Sequence, residues 1–359
     1  MSEALIIMKR EIEVSVVVCT YNRSALVTRA LESLLAQEAD ASTYEVIVVD
    51  NNSTDDTRAV VKSMMARSRC ELRYIFEGKQ GLSYARNAGI AQARAPIITF
   101  TDDDVNATPF WVSQIKRAFD QHPEVDYIGG KVLPLWNKVK PPAWLTRHHW
   151  APLALTDYGD QEVYVDRHNA ICLIGANLSV RRSVFERVGL FASEFQRVKH
   201  SIGSIEDHEF QIRVWQAGLR GLYVPEVVVE TEVQADRLTK AYHRRWHRGN
   251  GEYYAMMRLY EIEAADGQLV DGQREMVMLF GTPSFTYREL LVNSLNLLKA
   301  TIKRDESSAF MYENYVREIS SYIRKRRELS TSMRMTSVTS EVSVFVRKLI
   351  SKKLGKIIV

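Results

Sequence analysis

The feature that most restricts the fold of this chain is a cadence over residues 12 to 100: an apolar run, a polar loop, an amphipathic helix, then the same again. Val14 to Cys19 (VSVVVC) is valine-rich and uncharged, as a strand buried on both faces of a parallel sheet should be. TYNRS follows, then a helix from about Ser24 to Gln37, with Ala25, Leu26, Ala30, Leu31, Leu34 and Leu35 at helical spacing. Val46 to Val49 repeats the run and ends in Asp50, and NNSTDDT opens a second helix with several candidate N-caps. LRYIF, the helix LSYARNAGIAQA and the strand PIITF continue the pattern. Such alternation predicts an α/β fold with a doubly wound, Rossmann-like, mostly parallel sheet flanked by helices. Ligands of such sheets bind at the carboxyl ends of the strands, where TYNR, DNNSTD and TDDD lie.

From 131 to 168 the character changes to Pro and Trp, including Trp136, Pro141, Pro142, Trp144 and Trp150, which suits an excursion over the active face. The α/β pattern resumes with ICLIGANLSV, a helix from Ile205 to Ala217 closed by Gly218, and the strand YVPEVVVE. Beyond it the chain reads as helical. LLVNSLNLLK carries an apolar stripe at Leu290, Leu291, Leu295 and Leu298, and MYENYVREISSYI another at Met311, Tyr315, Ile319 and Tyr322.

With 46% hydrophobic residues, 17 Gly and 9 Pro in 359 residues, disorder and collagen-like repeats are excluded. Three cysteines (Cys19, Cys70, Cys172) make neither a disulfide framework nor a zinc cluster. The N-terminus lacks the pattern of a signal peptide, and no uncharged run approaches the ~20 residues of a membrane span. Net charge is +4, but unevenly placed: residues 1–232 hold 26 basic and 30 acidic residues, whereas 324–359 hold 10 and 2. Within that tail Val342, Val346, Leu349, Ile350 and Ile357 share a helical face interrupted by Lys353. An anionic membrane surface is one reading and a solvated or partner-binding tail the other. RKRR at 324–327 has no nucleic-acid-binding module around it, so no nucleic-acid partner is expected.

Two acidic clusters carry the chemistry. Asp102, Asp103 and Asp104 follow an apolar strand directly, and three adjacent like charges call for a cation or strong hydrogen bonding. Hard oxygen ligands there suit Mg²⁺ or Mn²⁺, completed by substrate phosphates and water; a solvated turn opening a helix at Thr108-Pro109 is the bland alternative. Glu206 and Asp207 open a helix, where Ser204 with Asp207 also approximates a capping box. Asp50 ends a strand, as acids that bind a ribose or base do, and Arg86 could face phosphate or form a surface salt bridge.

In order, VSVVVCTYNR, VIVVDNNSTD, GLSYARNAGI, FTDDDV, GANLSVRRSVFERVGLF and IEDHEF resemble the family 2 glycosyltransferases of the GT-A fold, over roughly residues 12 to 230. The resemblance implies a nucleotide-sugar donor, a UDP- or GDP-sugar, lying over the strand ends. Its diphosphate would be bound through Mn²⁺ or Mg²⁺ held by Asp104 with Asp102, and Asp102 or Asp103 would lie nearer the ribose. Thr20, Tyr21 and Arg23 would border the base, Asp50 would accept a hydrogen bond from it, and Asn52 would stand in the same donor loop. Arg86 would approach the pyrophosphate. Glu206-Asp207 matches the family's base motif, implying Asp207 as general base with Glu206 in reserve, in an inverting displacement at the anomeric carbon. Relatives place a His after the last core strand as a further metal ligand. Here VVVETEVQADRLT offers Thr231 or Glu232, so Glu232, a water or His243 is the expected substitute.

Trp136 and Trp144 are expected on the acceptor side, with packing into a lid or core as the alternative. The implied organisation is an N-terminal extension (1–11), a GT-A catalytic domain (12–232), a helical region with acceptor or membrane-interface elements (233–323) and a basic tail (324–359). LFGTPSFTYRELLVNSLNLLK and EVSVFVRKLISKKLGKIIV look like interfacial segments of transferases acting on lipid-linked acceptors. The expectation is therefore a cytoplasmic enzyme, peripheral on the inner membrane, acting on a saccharide or lipid-linked acceptor in polysaccharide or glycolipid synthesis. A sugar-phosphate nucleotidyltransferase is disfavoured because TYNRSA contains no Gly. A non-catalytic nucleotide-sugar-binding or scaffold protein with a transferase-like core is the other class.

Overall fold

A computed structural model describes residues 11–136, 139–195, 205–262, 267–269 and 276–333. The cadence becomes β1 (Val14–Thr20), α1 (Ser24–Leu35), β2 (Tyr44–Asp50), α2 (Thr57–Met65), β3 (Glu71–Phe76), α3 (Leu82–Gln92) and β4 (Ile97–Asp102). β1 and β2 are buried on both faces, which is the environment their valine and isoleucine runs demand. The four strands lie parallel in the order β3-β2-β1-β4. Their register sets Thr20 beside Asp50 and Cys19 beside Asp102, so three polar strand ends meet at one end of the sheet.

After β4 come β5 (Val105–Ala107), α4 (Trp111–Gln121), β6 (Tyr127–Leu135), β7 (Val163–Val165), β8 (Leu178–Arg181), α5 (Arg182–Val188), α6 (Glu206–Gln216) and β9 (Gly221–Glu232). The sheet order is β3-β2-β1-β4-β8-β6-β9-β5, with β7 also on β9. β8 runs antiparallel between β4 and β6, and the short β5 and β7 run antiparallel to β9, while β6 and β9 are parallel. This is the mostly parallel mixed sheet, flanked by helices, that the GT-A resemblance implies. Asp103 and Asp104 turn the chain from β4 into β5 rather than opening a helix at Thr108. β6 shifts register at Gly129–Lys131, where a Cβ on Gly130 would lie 1.8 Å from the Val227 carbonyl oxygen. Only glycine permits that approach.

The chain divides into two compact units, one of residues 1–140 with 153–235 and one of 141–152 with 236–359. The second contains α7 (Lys240–Met257), α8 (Leu259–Ile262), β10 (Met278–Leu279), β11 (Thr282–Pro283), α9 (Phe285–Ile302) and α10 (Glu306–Met333). Side-chain pairs Lys240–Glu306, Arg244–Glu313 and His247–Glu318, each 2.7 Å, then Arg324–Glu252 at 2.9 Å, ascend both helices together, so α7 and α10 run parallel. α9 and α10 form a hairpin, with Tyr287 and Leu290 packed on a core of Ala255, Ile319, Tyr322 and Ile323. Among the described residues no helix is long and apolar enough to cross a membrane. Residues 1–10, Ser204 and most of the basic tail (334–359) lie outside the described residues.

Candidate active site at the strand ends

The acidic triplet sits where β4 leaves the sheet. Asp103 is 4% and Asp104 8% exposed, and two buried like charges need a counter-charge. Arg23 supplies it: its Nη1 donates to Asp103 Oδ1 at 2.8 Å and lies 3.3 Å from Asp104 Oδ2. Thr20 Oγ1 donates to Asp103 Oδ2 at 2.8 Å. Burial pushes the Asp103 carboxyl up to about 6, with Arg23 opposing the shift and the charge of Asp104 reinforcing it. Asp102 stays partly exposed at the strand end.

Thr20 and Arg23 are therefore brought onto the triplet itself, and Tyr21 between them is partly exposed. Asp50, expected to accept a hydrogen bond from the base, ends β2 beside Thr20. Asp50 is buried, with Oδ2 accepting the Tyr74 hydroxyl at 2.6 Å and Oδ1 accepting the Ser53 N–H at 2.8 Å. Its carboxylate is engaged in fixing the loop after β2 to β3. Asn52, at φ 66°, is exposed in that loop.

Arg86, expected to approach the pyrophosphate, is buried, and its Nη1 donates to Glu206 Oε1 at 2.8 Å. Its guanidinium also lies 5.9 and 5.3 Å from the Phe100 and Phe191 ring centres. A buried charge must be paired, and Glu206, itself buried, is the partner. A Cβ on Gly175 would fall 2.4 Å from Arg86 Nη2, so glycine at 175 makes room for the pair.

Asp207 remains partly exposed in the first turn of α6, where the helix dipole favours a carboxylate. Its Oδ2 accepts the Gly175 N–H at 3.0 Å and its Oδ1 the His208 N–H at 2.9 Å. Ile205 occupies the N-cap position and no side chain caps the helix.

Several residues of this site escape a sequence reading. Gln211 is fully buried, its Oε1 accepting the Leu173 N–H at 2.8 Å and its Nε2 donating to the Asp207 carbonyl at 3.0 Å. Tyr158 is 42% exposed and donates its hydroxyl to the Cys172 carbonyl at 3.0 Å. Its N–H donates to Tyr223 Oη at 3.2 Å, and that hydroxyl donates to the Gly159 carbonyl at 3.0 Å. The segment 172–175 thus carries Tyr158 at one end and the Asp207 carboxylate at the other. A tyrosine in the polar stretch TDYGD is the signal the sequence offers. Trp136 is partly exposed after β6. Trp144 is buried in the helical unit, its ring centre 5.5 Å from His149, 5.1 Å from His243 and 4.8 Å from Phe310, which corresponds to the packing alternative.

For a cation, the available donors are carboxylates. Among the described residues no three His, Cys, Asp or Glu side chains converge on one point. Glu232 pairs with Arg29 at 2.7 Å, and His243 is enclosed in the helical unit's core. The chain instead returns to Asp104 with Thr231, whose hydroxyl lies 3.4 Å from Oδ1, and Gln234, whose amide lies 3.3 Å from Oδ2. One or two carboxylates with neutral oxygens fit a hard ion such as Mg²⁺ or Mn²⁺, which completes its shell with phosphate and water.

Residues 15–189 match the model of Glycosyl transferase family 2. Over 222 residues this chain is 30% identical to a glucosyl-dolichyl phosphate glucuronosyltransferase of Haloferax volcanii, covering 59% of this chain and 66% of that protein. It therefore spans less than two thirds of that relative's length. Its fold is similar to that of the mannosyltransferase PcManGT of Pyrobaculum calidifontis, solved with GDP-Man and Mn²⁺, at TM-score 0.53 and 16% identity, covering 95% and 80% of the two chains. Staphylococcus aureus TarS, solved with UDP, gives TM-score 0.51 at 16% identity, covering 91% and 93%.

Proposed function

We propose that the chain is a metal-dependent, inverting glycosyltransferase that moves a sugar from a UDP- or GDP-sugar to a hydroxyl of a saccharide or lipid-linked acceptor. The observation that carries this reading is the division of roles at the start of α6. Glu206 is held inside by Arg86, while Asp207, one residue on, is partly exposed and fixed by two backbone N–H groups. Asp207 takes the proton of the acceptor hydroxyl as that oxygen attacks the anomeric carbon; the bond to the nucleoside diphosphate breaks on the opposite face, and the configuration inverts. Arg86 and Glu206 act as positioning residues.

Arg23 and Thr20 hold Asp103, and Asp104 with Asp102 would hold Mn²⁺ or Mg²⁺. Bound there, the ion would supply positive charge for the departing diphosphate. Tyr21 and Asn52 border the nucleotide, and Tyr158, with Trp136, offers an aromatic face to the acceptor sugar. The named substrate of the Haloferax relative, a dolichyl phosphate carrying glucose, supports a lipid-linked saccharide as acceptor. With it goes peripheral contact of the C-terminal region with the cytoplasmic face of the inner membrane.

A panel of UDP- and GDP-sugars with Mn²⁺ tests the reading. The correct donor should raise the melting temperature, because it binds only the native state, and should release nucleoside diphosphate with an acceptor present. Neither stabilisation nor turnover with any donor refutes it.

A further inference from the structure

We infer that the outer face of α9 is a docking surface for an anionic lipid bilayer. Leu291, Val292, Leu295, Leu298 and Ile302 are exposed, from 42% at Val292 to 74% at Ile302. The other exposed residues of α9 are Arg288, Lys299 and Thr301. At ~100° per residue all of these except Thr301 fall in one arc, and Lys303 and Arg304 follow immediately. Single exposed leucines are ordinary; a contiguous stripe along about three helical turns marks a contact surface. The opposite side of α9 is held, with Tyr287 and Leu290 packed on the α10 core and Ala300 buried.

The charges select the occupant. Glu289, the only acid of α9, pairs with Arg288 at 2.9 Å. Asp305 and Glu306, which follow, are engaged with the Ser308 N–H and with Lys240. The stripe is therefore apolar, with an offset Arg288–Glu289 pair at one end and the basic residues Lys299, Lys303 and Arg304 at the other. A second copy laid parallel would set Lys299, Lys303 and Arg304 near their own duplicates, and one laid antiparallel would meet them only with Glu289, whose charge Arg288 already offsets. The first opposes like charges and the second leaves the three cations uncompensated. An anionic bilayer reverses that sign: the leucines enter the acyl boundary and the long basic side chains reach the headgroups. The purpose, bringing the chain to a lipid-linked acceptor, rests on the proposed transferase reading; the docking itself does not.

Vesicle co-sedimentation of the full chain, without donor or acceptor, tests the surface. Wild type should bind vesicles of phosphatidylcholine and phosphatidylglycerol in equal parts and bind phosphatidylcholine alone weakly. Leu291→Asn/Leu295→Asn/Leu298→Asn should lower the partition coefficient by at least ~10-fold with an unchanged circular dichroism melt, since the replaced groups are exposed. Lys299→Glu/Lys303→Glu/Arg304→Glu should abolish the preference for anionic lipid, about fivefold for each cation lost. Variants that bind like wild type overturn the inference. So does a wild-type dimer that the leucine variant converts to monomer, which would assign the stripe to a second copy. Vesicle binding that persists in protein without transferase activity supports the docking face and counts against the enzymatic reading alone.

Discussion

Arg86 Nη1 and Glu206 Oε1 are 2.8 Å apart in a pair whose side chains are 5% and 2% exposed, joining the middle of α3 to the first residue of α6. Asp207 follows Glu206 directly, so the pair sets the rotation of the helix turn that presents Asp207. Arg86→Met removes the guanidinium from a buried carboxylate and should cost about 3–5 kcal/mol in urea denaturation. The double variant Arg86→Met/Glu206→Met should recover most of the loss. An unchanged single variant would mean the pair does not hold the helix.

Asp207→Asn should lower transfer by ~10² to 10⁴ while the donor still raises the melting temperature as in wild type. Glu206→Gln should act mainly on stability. Full activity in Asp207→Asn would move the base elsewhere.

Tyr158→Ala should raise the acceptor KM by about two- to tenfold, in line with the ~0.5–1.5 kcal/mol of an aromatic contact, and leave donor binding alone. Tyr158→Phe keeps the ring but loses its bond to Cys172, so it should fall between. Equal changes in donor and acceptor KM would exclude an acceptor role.

Burial, reinforced by the charges of His247 and His149, lowers His243 from 6.5 to about 3. Between those values the unfolded chain binds the proton and the folded chain does not. Stability therefore falls as pH drops from 6.5 towards 3 and is indifferent to this group above 6.5. At pH 5 the cost is ~2 kcal/mol, and His243→Phe should flatten that part of the profile of stability against pH.

The parallel half of the sheet was legible because strands buried on both faces leave uninterrupted apolar runs. The antiparallel course of β8 was not, since LSVR carries no mark of strand direction, and β5 and β7 are too short for periodicity to register. The triplet and Glu206-Asp207 were visible as residue types, but their partners were not. Asp50 meets Tyr74 across 24 positions and Arg86 meets Glu206 across 120, and such neighbours exist only once the chain is folded. Gln234 was invisible for the same reason. In α9 the apolar spacing was plain, yet spacing does not say which side is covered: Leu290 packs inward, while Leu291, Leu295 and Leu298 are exposed.

The parallel course of α7 and α10 has a topological consequence. Two helices pointing the same way cannot be joined by a tight turn, so the chain must travel back along their length before the second begins. α9 is that return stroke. The core needs only its inner half, and the outer half has no folding duty to discharge. The identity of the residues there answers to the surroundings of the protein rather than to its own architecture.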